Sequence, residues 1–264
     1  MEKELDHDQL LFLNKIKVGI INPFSDQFLI RFTKPAHNDI IAFHYPKLND
    51  VTIKSKPVLV KRCIGTPGDL LVLRNKQLFL NKKRIEDSHT LMFKYRIVSD
   101  SDLLSSRFIN EFGLIQGEKV SDHGIYDFPL TTQLYDELKS DDRVKSIRRL
   151  REKDTRSAPV FPANGYYNWN GDFYGPLIVP SKGMTVDLNY RNYGLYSRII
   201  IQYEGNDAYL DIDKIYINGI LASTYTFQQD YYFVLDDNRD YSNDSRQWGF
   251  LPEDHIIAKI ICRN

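Results

Sequence analysis

Two segments of this 264-residue chain carry side chains suited to chemistry. The first, Val58-Leu59-Val60-Lys61-Arg62-Cys63-Ile64-Gly65-Thr66-Pro67-Gly68-Asp69, reads as a strand running into a turn. Strand alternation puts Lys61 on the face of Leu59 and Cys63 and sends Arg62 to the other. Desolvation disfavours an ammonium, so a lysine among apolar neighbours can become a neutral amine and serve as the general base for a serine. The plainer reading is a strand lysine whose amine snorkels to water. The second segment is Leu235-Asp236-Asp237-Asn238-Arg239-Asp240-Tyr241-Ser242-Asn243-Asp244-Ser245-Arg246-Gln247-Trp248-Gly249-Phe250-Leu251-Pro252, which follows the β-type run Tyr231 to Val234. It crowds aspartates, arginines and serines into one loop. Asp and Asn fold turns by bonding nearby backbone, and Asp/Arg pairs lock such a loop, so a purely structural reading accounts for it equally well.

The elements that must position these residues are mostly strands. Short apolar runs at Leu10 to Leu13, Phe28 to Phe32, Ile40 to Tyr45, Val58 to Ile64, Leu70 to Leu73 and Leu78 to Leu80 are separated by Gly, Pro, Asn and Asp, which predicts a mainly β fold. Leu71 to Lys83 and Tyr209 to Gly219 share one pattern, two short strands about a polar turn and then Asn, and are read as one hairpin type used twice. A single short helix is predicted where Thr131 or Thr132 can cap a segment whose Leu134 and Leu138 share a face. The basic run Arg143 to Arg156 includes Glu152 and Asp154, which makes it a solvated face. Between Pro159 and Pro180, Tyr166, Tyr167 and Trp169 predict a long loop packed by its rings.

Composition narrows the function. Thirty-five Lys plus Arg balance 35 Asp plus Glu, so no global field favours nucleic acid, and none is expected as a partner. Cys63 and Cys262 lack zinc spacing, His44, His123 and His255 form no triad or ligand set, and Gly65-Thr66-Pro67-Gly68-Asp69 lacks a following Lys-Ser/Thr, so no metal and no cofactor are expected. No run approaches the roughly 18 to 20 apolar residues of a membrane span, and the N-terminus is no signal peptide, so the chain as written reads as soluble.

In order and wording, the two segments resemble the type I signal peptidases, serine/lysine enzymes that remove signal peptides from exported proteins. Asn38-Asp39-Ile40-Ile41-Ala42-Phe43-His44-Tyr45-Pro46 is similar to that family's Gly-Asp-apolar-Phe strand, Val60 to Asp69 to its general-base strand, and Asp237 to Pro252 to its Asp-Asn-Arg box. The resemblance implies a signal-peptidase-type β core over residues 1–85 and 225–264, split by an α+β insertion over 86–224 like that of relatives from the Bacteroidetes lineage. It implies Lys61 as general base, Ser242 as the hydroxyl orienting its nitrogen, and Asp237, Asn238, Arg239, Asp244, Arg246 and Arg62 as scaffold. Met1, Leu5, Leu11, Ala42, Leu59 and Val60 would line small pockets for an extended signal peptide bound beside a strand. By family, the catalytic domain would stand on the outer, periplasmic face of the cytoplasmic membrane.

Met1-Glu2-Lys3-Glu4-Leu5, then Leu11-Phe12-Leu13-Asn14-Lys15, resembles the family stretch that begins at the Met directly after the nucleophilic serine. The serine is therefore expected immediately before Met1, with the membrane anchor upstream, and the chain as written is expected to lack peptidase activity. Ser25 lies too close to Asp39 to replace it. Asp236 stands at a family Gly, and a carboxylate near Lys61 would favour its ammonium form. Asn38 also replaces a Gly, and Asn tolerates the left-handed backbone. Two functions follow: a signal peptidase whose start was set too late, at the Met that follows the serine, or an inactive soluble relative that binds extended peptides or an active paralogue. A self-cleaving repressor relative is a weaker third, because no DNA-binding helix pair is evident.

Overall fold

Alternating apolar residues become strands wherever one face can be covered, and the computed structural model builds most of the protein this way, with 39% strand against 16% helix. It describes residues 34–47, 51–101, 104–152 and 160–261, together with the backbone of the short strands Phe12–Asn14, Ile20–Ile21 and Phe28–Ile30. The mainly β expectation holds.

The sheet that carries the site has six antiparallel strands in the order Phe12–Asn14, Ile256–Ile261, Ile40–His44, Val58–Gly65, Tyr231–Leu235, Leu251–Pro252. Strands from the two ends of the chain are thus laced together, and Val58–Gly65 lies between Ile40–His44 and Tyr231–Leu235. One face of this sheet packs Ile41, Phe43, Cys63, Val234 and Ile256 with Trp248, whose ring lies 5.9 Å from Phe43 and 6.3 Å from Tyr45. Asn38 leads into Ile40–His44 with a φ of 68°, the left-handed conformation that its short polar side chain tolerates.

The region 86–224 divides between two packing units. Met92–Ser99, Glu118–Ser121, Ile125–Thr131 and Val144–Arg149 form a separate four-stranded sheet over its own core, in which Ile97, Phe108, Leu130 and Leu138 are buried. Residues from Val160 onward instead pack on Leu71, Leu73, Leu78 and Leu80, in a cluster that continues into Tyr231, Phe233 and Phe250.

The paired hairpins are alike down to their hydrogen bonds. Leu70–Arg74 pairs with Gln77–Leu80, and Ala208–Asp211 with Lys214–Ile217. In the first, the Asn81 side chain accepts from Leu70 N–H at 3.0 Å and its own N–H donates to Leu70 O at 2.9 Å. Asn218 makes the same two bonds with Asp207, at 3.0 and 2.7 Å. Asn81 and Asn218 both have a φ of 51°, so each asparagine both turns the chain and clamps its start.

The predicted helix is Thr132–Lys139, capped by Thr131, whose hydroxyl accepts from Leu134 N–H, with Leu134 and Leu138 buried. Ser106–Glu111, Tyr193–Arg198 and Ser245–Trp248 are further helices. At four to six residues each, they are too short for a 3.6-residue apolar period to register in the sequence.

Candidate active site

Lys61 sits near the middle of Val58–Gly65, opposite Ile41 on the neighbouring strand, with its side chain only 14% exposed. Leu59 shares its face by alternation, while Arg62, Val60 and Ala42 lie on the other. The sequence therefore places the amine against the Ile41, Phe43 and Cys63 core and the guanidinium on the far side.

Arg62 anchors the loop that follows Tyr231–Leu235. Its Nε and Nη2 donate to the two oxygens of Asp237 at 2.8 and 2.6 Å, a bidentate pair, and Nη1 donates to Asn38 O at 3.0 Å. Asp237 is wholly buried and also accepts from the Thr90 hydroxyl at 2.7 Å. Asp244 is the second anchor. Its Oδ1 accepts from Arg246 N and Nε, both at 3.0 Å, and its Oδ2 accepts from Arg246 Nη2 at 2.8 Å, the Ser242 hydroxyl at 2.8 Å and Asp236 N–H at 3.1 Å. Asp244 also caps Ser245–Trp248, with Gln247 reaching back to the Asp244 N–H, a reciprocal capping box. Arg246 donates onward to Gly171 O at 3.0 Å.

The loop is also stitched to the 92–149 sheet. Met92 N–H donates to Asp237 O at 2.8 Å, Arg239 N–H donates to Met92 O at 3.0 Å, and Met92 and Asn238 form a parallel bridge. The Asn238 side chain donates to Gln116 Oε1 at 2.9 Å.

Lys61 reaches this loop at Asp236, with which its amine forms an ion pair. Asp236 is held in turn, because its other oxygen accepts from Asn238 N–H at 3.1 Å. Ser242 is engaged elsewhere: besides bonding Asp244, it accepts from Arg246 Nη2 at 2.9 Å. Among the described residues no hydrogen bond joins Lys61 to Ser242. The link between them runs from the Ser242 hydroxyl to Asp244, to the Asp236 backbone, to the Asp236 carboxylate and so to Lys61. Met1, Leu5, Leu11 and Ser25 lie outside the described residues. Thr90, Gln116, Met92 and Gly171 complete the loop's support, and no local pattern in the sequence marks them.

The arrangement holds one amine at the edge of an apolar core, against a loop in which Asp237 is paired with Arg62 and Asp244 with Arg246. Burial raises the carboxyl groups of Asp237 and Asp244, but Arg62 and Thr90 outweigh it at Asp237, and Arg246 and Ser242 at Asp244, so both lie below the usual carboxylate range. A depressed folded value means stability that is complete above the unfolded value of about 4 and is lost as pH falls through the folded one. Urea unfolding between pH 7 and pH 2 is therefore expected to show a near-constant contribution from these groups down to about pH 5 and a decline below it. The decline should be shallower in Asp237→Asn. An identical acid limb in that variant would show that the pair is not its source.

The sequence matches the family described as signal peptidase, peptidase S26 over residues 1–129 and 204–263. It is 24% identical over 255 residues to a signal peptidase I from Buchnera aphidicola subsp. Baizongia pistaciae, covering 95% of this chain and 62% of the relative. To the signal peptidase I of Buchnera aphidicola subsp. Schizaphis graminum it is 22% identical over 249 residues, covering 94% of this chain and 60% of the relative. The chain thus spans about three fifths of the length of these curated relatives. A crystal structure of a signal peptidase I from Enterococcus faecalis aligns at 16% identity with a TM-score of 0.32, over 87% of this chain and 98% of that one. That superposition is too loose to bear on the fold. Matched in sequence over most of its length, this chain belongs to the signal peptidase, peptidase S26 family.

Proposed function

We propose that this protein is a signal peptidase I-type serine endopeptidase that removes signal peptides from exported preproteins, with Lys61 as its general base. The observation that carries this reading is the placement of a nearly buried amine, between two core strands, against a loop locked by the Arg62–Asp237 and Arg246–Asp244 pairs. The nucleophile in this reading is a serine directly before Met1. Lys61 takes the serine proton as the hydroxyl oxygen attacks the scissile carbonyl. The amide bond breaks as Lys61 returns the proton to the leaving amine, and water then hydrolyses the ester, releasing the new C-terminus and the free serine. Ser242 orients Lys61 through Asp244 and Asp236, while Asn238 and Arg239 hold the loop's backbone. The signal peptide binds extended, with small residues toward Ala42, Leu59, Val60, Met1, Leu5 and Leu11. By family, the enzyme works at the outer face of the cytoplasmic membrane.

The Lys61–Asp236 pair favours the second reading, a relative that binds extended peptides without cleaving them, because it holds the amine against a carboxylate of the loop. Cleavage of a fluorogenic signal-sequence peptide separates the two. Residues 1–264 alone are expected to be silent, and the protein extended by an anchor and a serine before Met1 is expected to cleave. In the extended protein, Asp236→Gly should raise turnover by about tenfold, since it removes the carboxylate that engages the Lys61 amine. If the extended protein stays silent with both Asp236 and Gly at that position, the binding protein is the better account. Turnover by residues 1–264 that disappears in Ser25→Ala would move the nucleophile to Ser25.

A further inference from the structure

Arg239 lies in the middle of the site loop and is 7% exposed, yet its Nε is buried without a hydrogen-bond acceptor among the described residues. Its backbone is fully engaged, the N–H with Met92 O and the carbonyl with Arg246 Nη2. The nearby carboxylates all face other donors. Asp237 gives both oxygens to Arg62, and Asp244 gives both to Arg246. Asp240 turns Oδ1 to Lys76 and Oδ2 to Lys94 N–H, and Asp172 turns Oδ1 to Lys76 and Oδ2 to Glu152 N–H. Burial, aided by the neighbouring Arg246 charge, pushes the Arg239 guanidinium down to about 10, so it still carries its proton at neutral pH. A buried charge without a partner is among the costliest arrangements in a folded protein.

Beside Arg239 is a small cavity lined by Leu73, Lys76, Phe93, Gly171, Arg239 and Arg246. Three of the six lining residues are cations and none is a carboxylate. Its free space, about 10 Å³ for the centre of a guest, suits one particle near the size of water. A second cavity on the other side of Arg239 is as small but has Glu86 and Asp87 in its wall, which would repel an anion. We propose that the first cavity binds one small inorganic monoanion, of the size of chloride, held by Arg239 together with Lys76 and Arg246. Sulfate and phosphate are too large for it. A neutral water would satisfy the Arg239 N–H but leave its charge among Leu73 and Phe93 without a counter-charge. The bound anion supplies that counter-charge, and so ties the stability of the site loop to the halide concentration. This inference holds whether the protein cleaves peptides or only binds them.

The test uses the unmodified chain. Crystals grown with bromide as the only halide are expected to show an anomalous peak in this cavity, within hydrogen-bond reach of Arg239. In solution, replacing gluconate by chloride at constant ionic strength should raise Tm in a saturable way, by about 2 to 4 °C when chloride reaches roughly five times its Kd. Arg239→Met should remove that rise. Density for water alone in bromide-grown crystals would overturn the proposal. So would a chloride-independent Tm, or a chloride-dependent Tm with the bromide peak only elsewhere. If Arg239→Met does not fold, the bromide map and the chloride series on the unmodified chain decide the question.

Discussion

Lys61→Ala, made in the protein extended by a serine before Met1, is expected to lower cleavage of a signal-sequence peptide by on the order of 10³-fold or more. The loss should fall on kcat, with KM little changed, because in the proposed mechanism the amine handles a proton while the peptide binds by strand addition. Lys61→Arg is expected to be equally inactive, since a guanidinium keeps its proton under working conditions. Circular dichroism checks the fold of both variants, because Lys61→Ala takes the amine from Asp236 and leaves it the Asn238 N–H. Full activity in Lys61→Ala, with the circular dichroism spectrum unchanged, would remove Lys61 from the chemistry altogether.

The largest effect on stability is expected from Asp244→Ala. That carboxylate is fully buried, and it joins Arg246, Ser242, the Asp236 backbone and the cap of Ser245–Trp248. Its removal takes from Arg246, 3% exposed, the carboxylate it is paired with, a loss that costs about 3 to 5 kcal/mol for a buried pair. Loss of the helix cap adds about 1 kcal/mol. Urea unfolding followed by tryptophan fluorescence would report the change, since Trp248 lies in the helix that Asp244 caps and Trp169 is buried in the core. The double variant Asp244→Ala/Arg246→Met should recover much of the loss, because it also removes the orphaned charge. If the double variant were no more stable than Asp244→Ala, the orphaned-charge account would fail.

What was legible in the sequence was whatever a local period or a short spacing encodes. The two-residue alternation of Val58 to Ile64 placed Lys61 and Arg62 on opposite faces. The Thr131 cap and the Leu134/Leu138 spacing located a helix, and the matching patterns ending in Asn81 and Asn218 located two hairpins. The pairing of Asp244 with Arg246 was legible because they are two residues apart. The meeting of Lys61 with Asp236 is legible only through the family resemblance, which sets Asp236 at a family Gly near the general base; no local pattern joins two residues 175 apart that strand pairing across the core sheet brings together. The family resemblance implies Ser242 as the hydroxyl that orients Lys61; its hydroxyl donates to Asp244, whose carboxylate also accepts from the Asp236 N–H. Thr90, Gln116 and Gly171 come from segments whose composition says nothing of the site they support.

The parallel bridge between Met92 and Asn238 has a consequence for how the molecule opens. The Met92 N–H is held by the site loop and the Arg239 N–H by the edge of the 92–149 sheet, so neither amide can meet solvent unless the two segments part. Both should exchange with deuterium at one common rate, slower than the exposed hairpin turns and set by a single cooperative opening. A ligand that clamps the outer strands of the 92–149 sheet would slow both amides together, and would thereby steady the backbone that carries the counter-charge of Lys61.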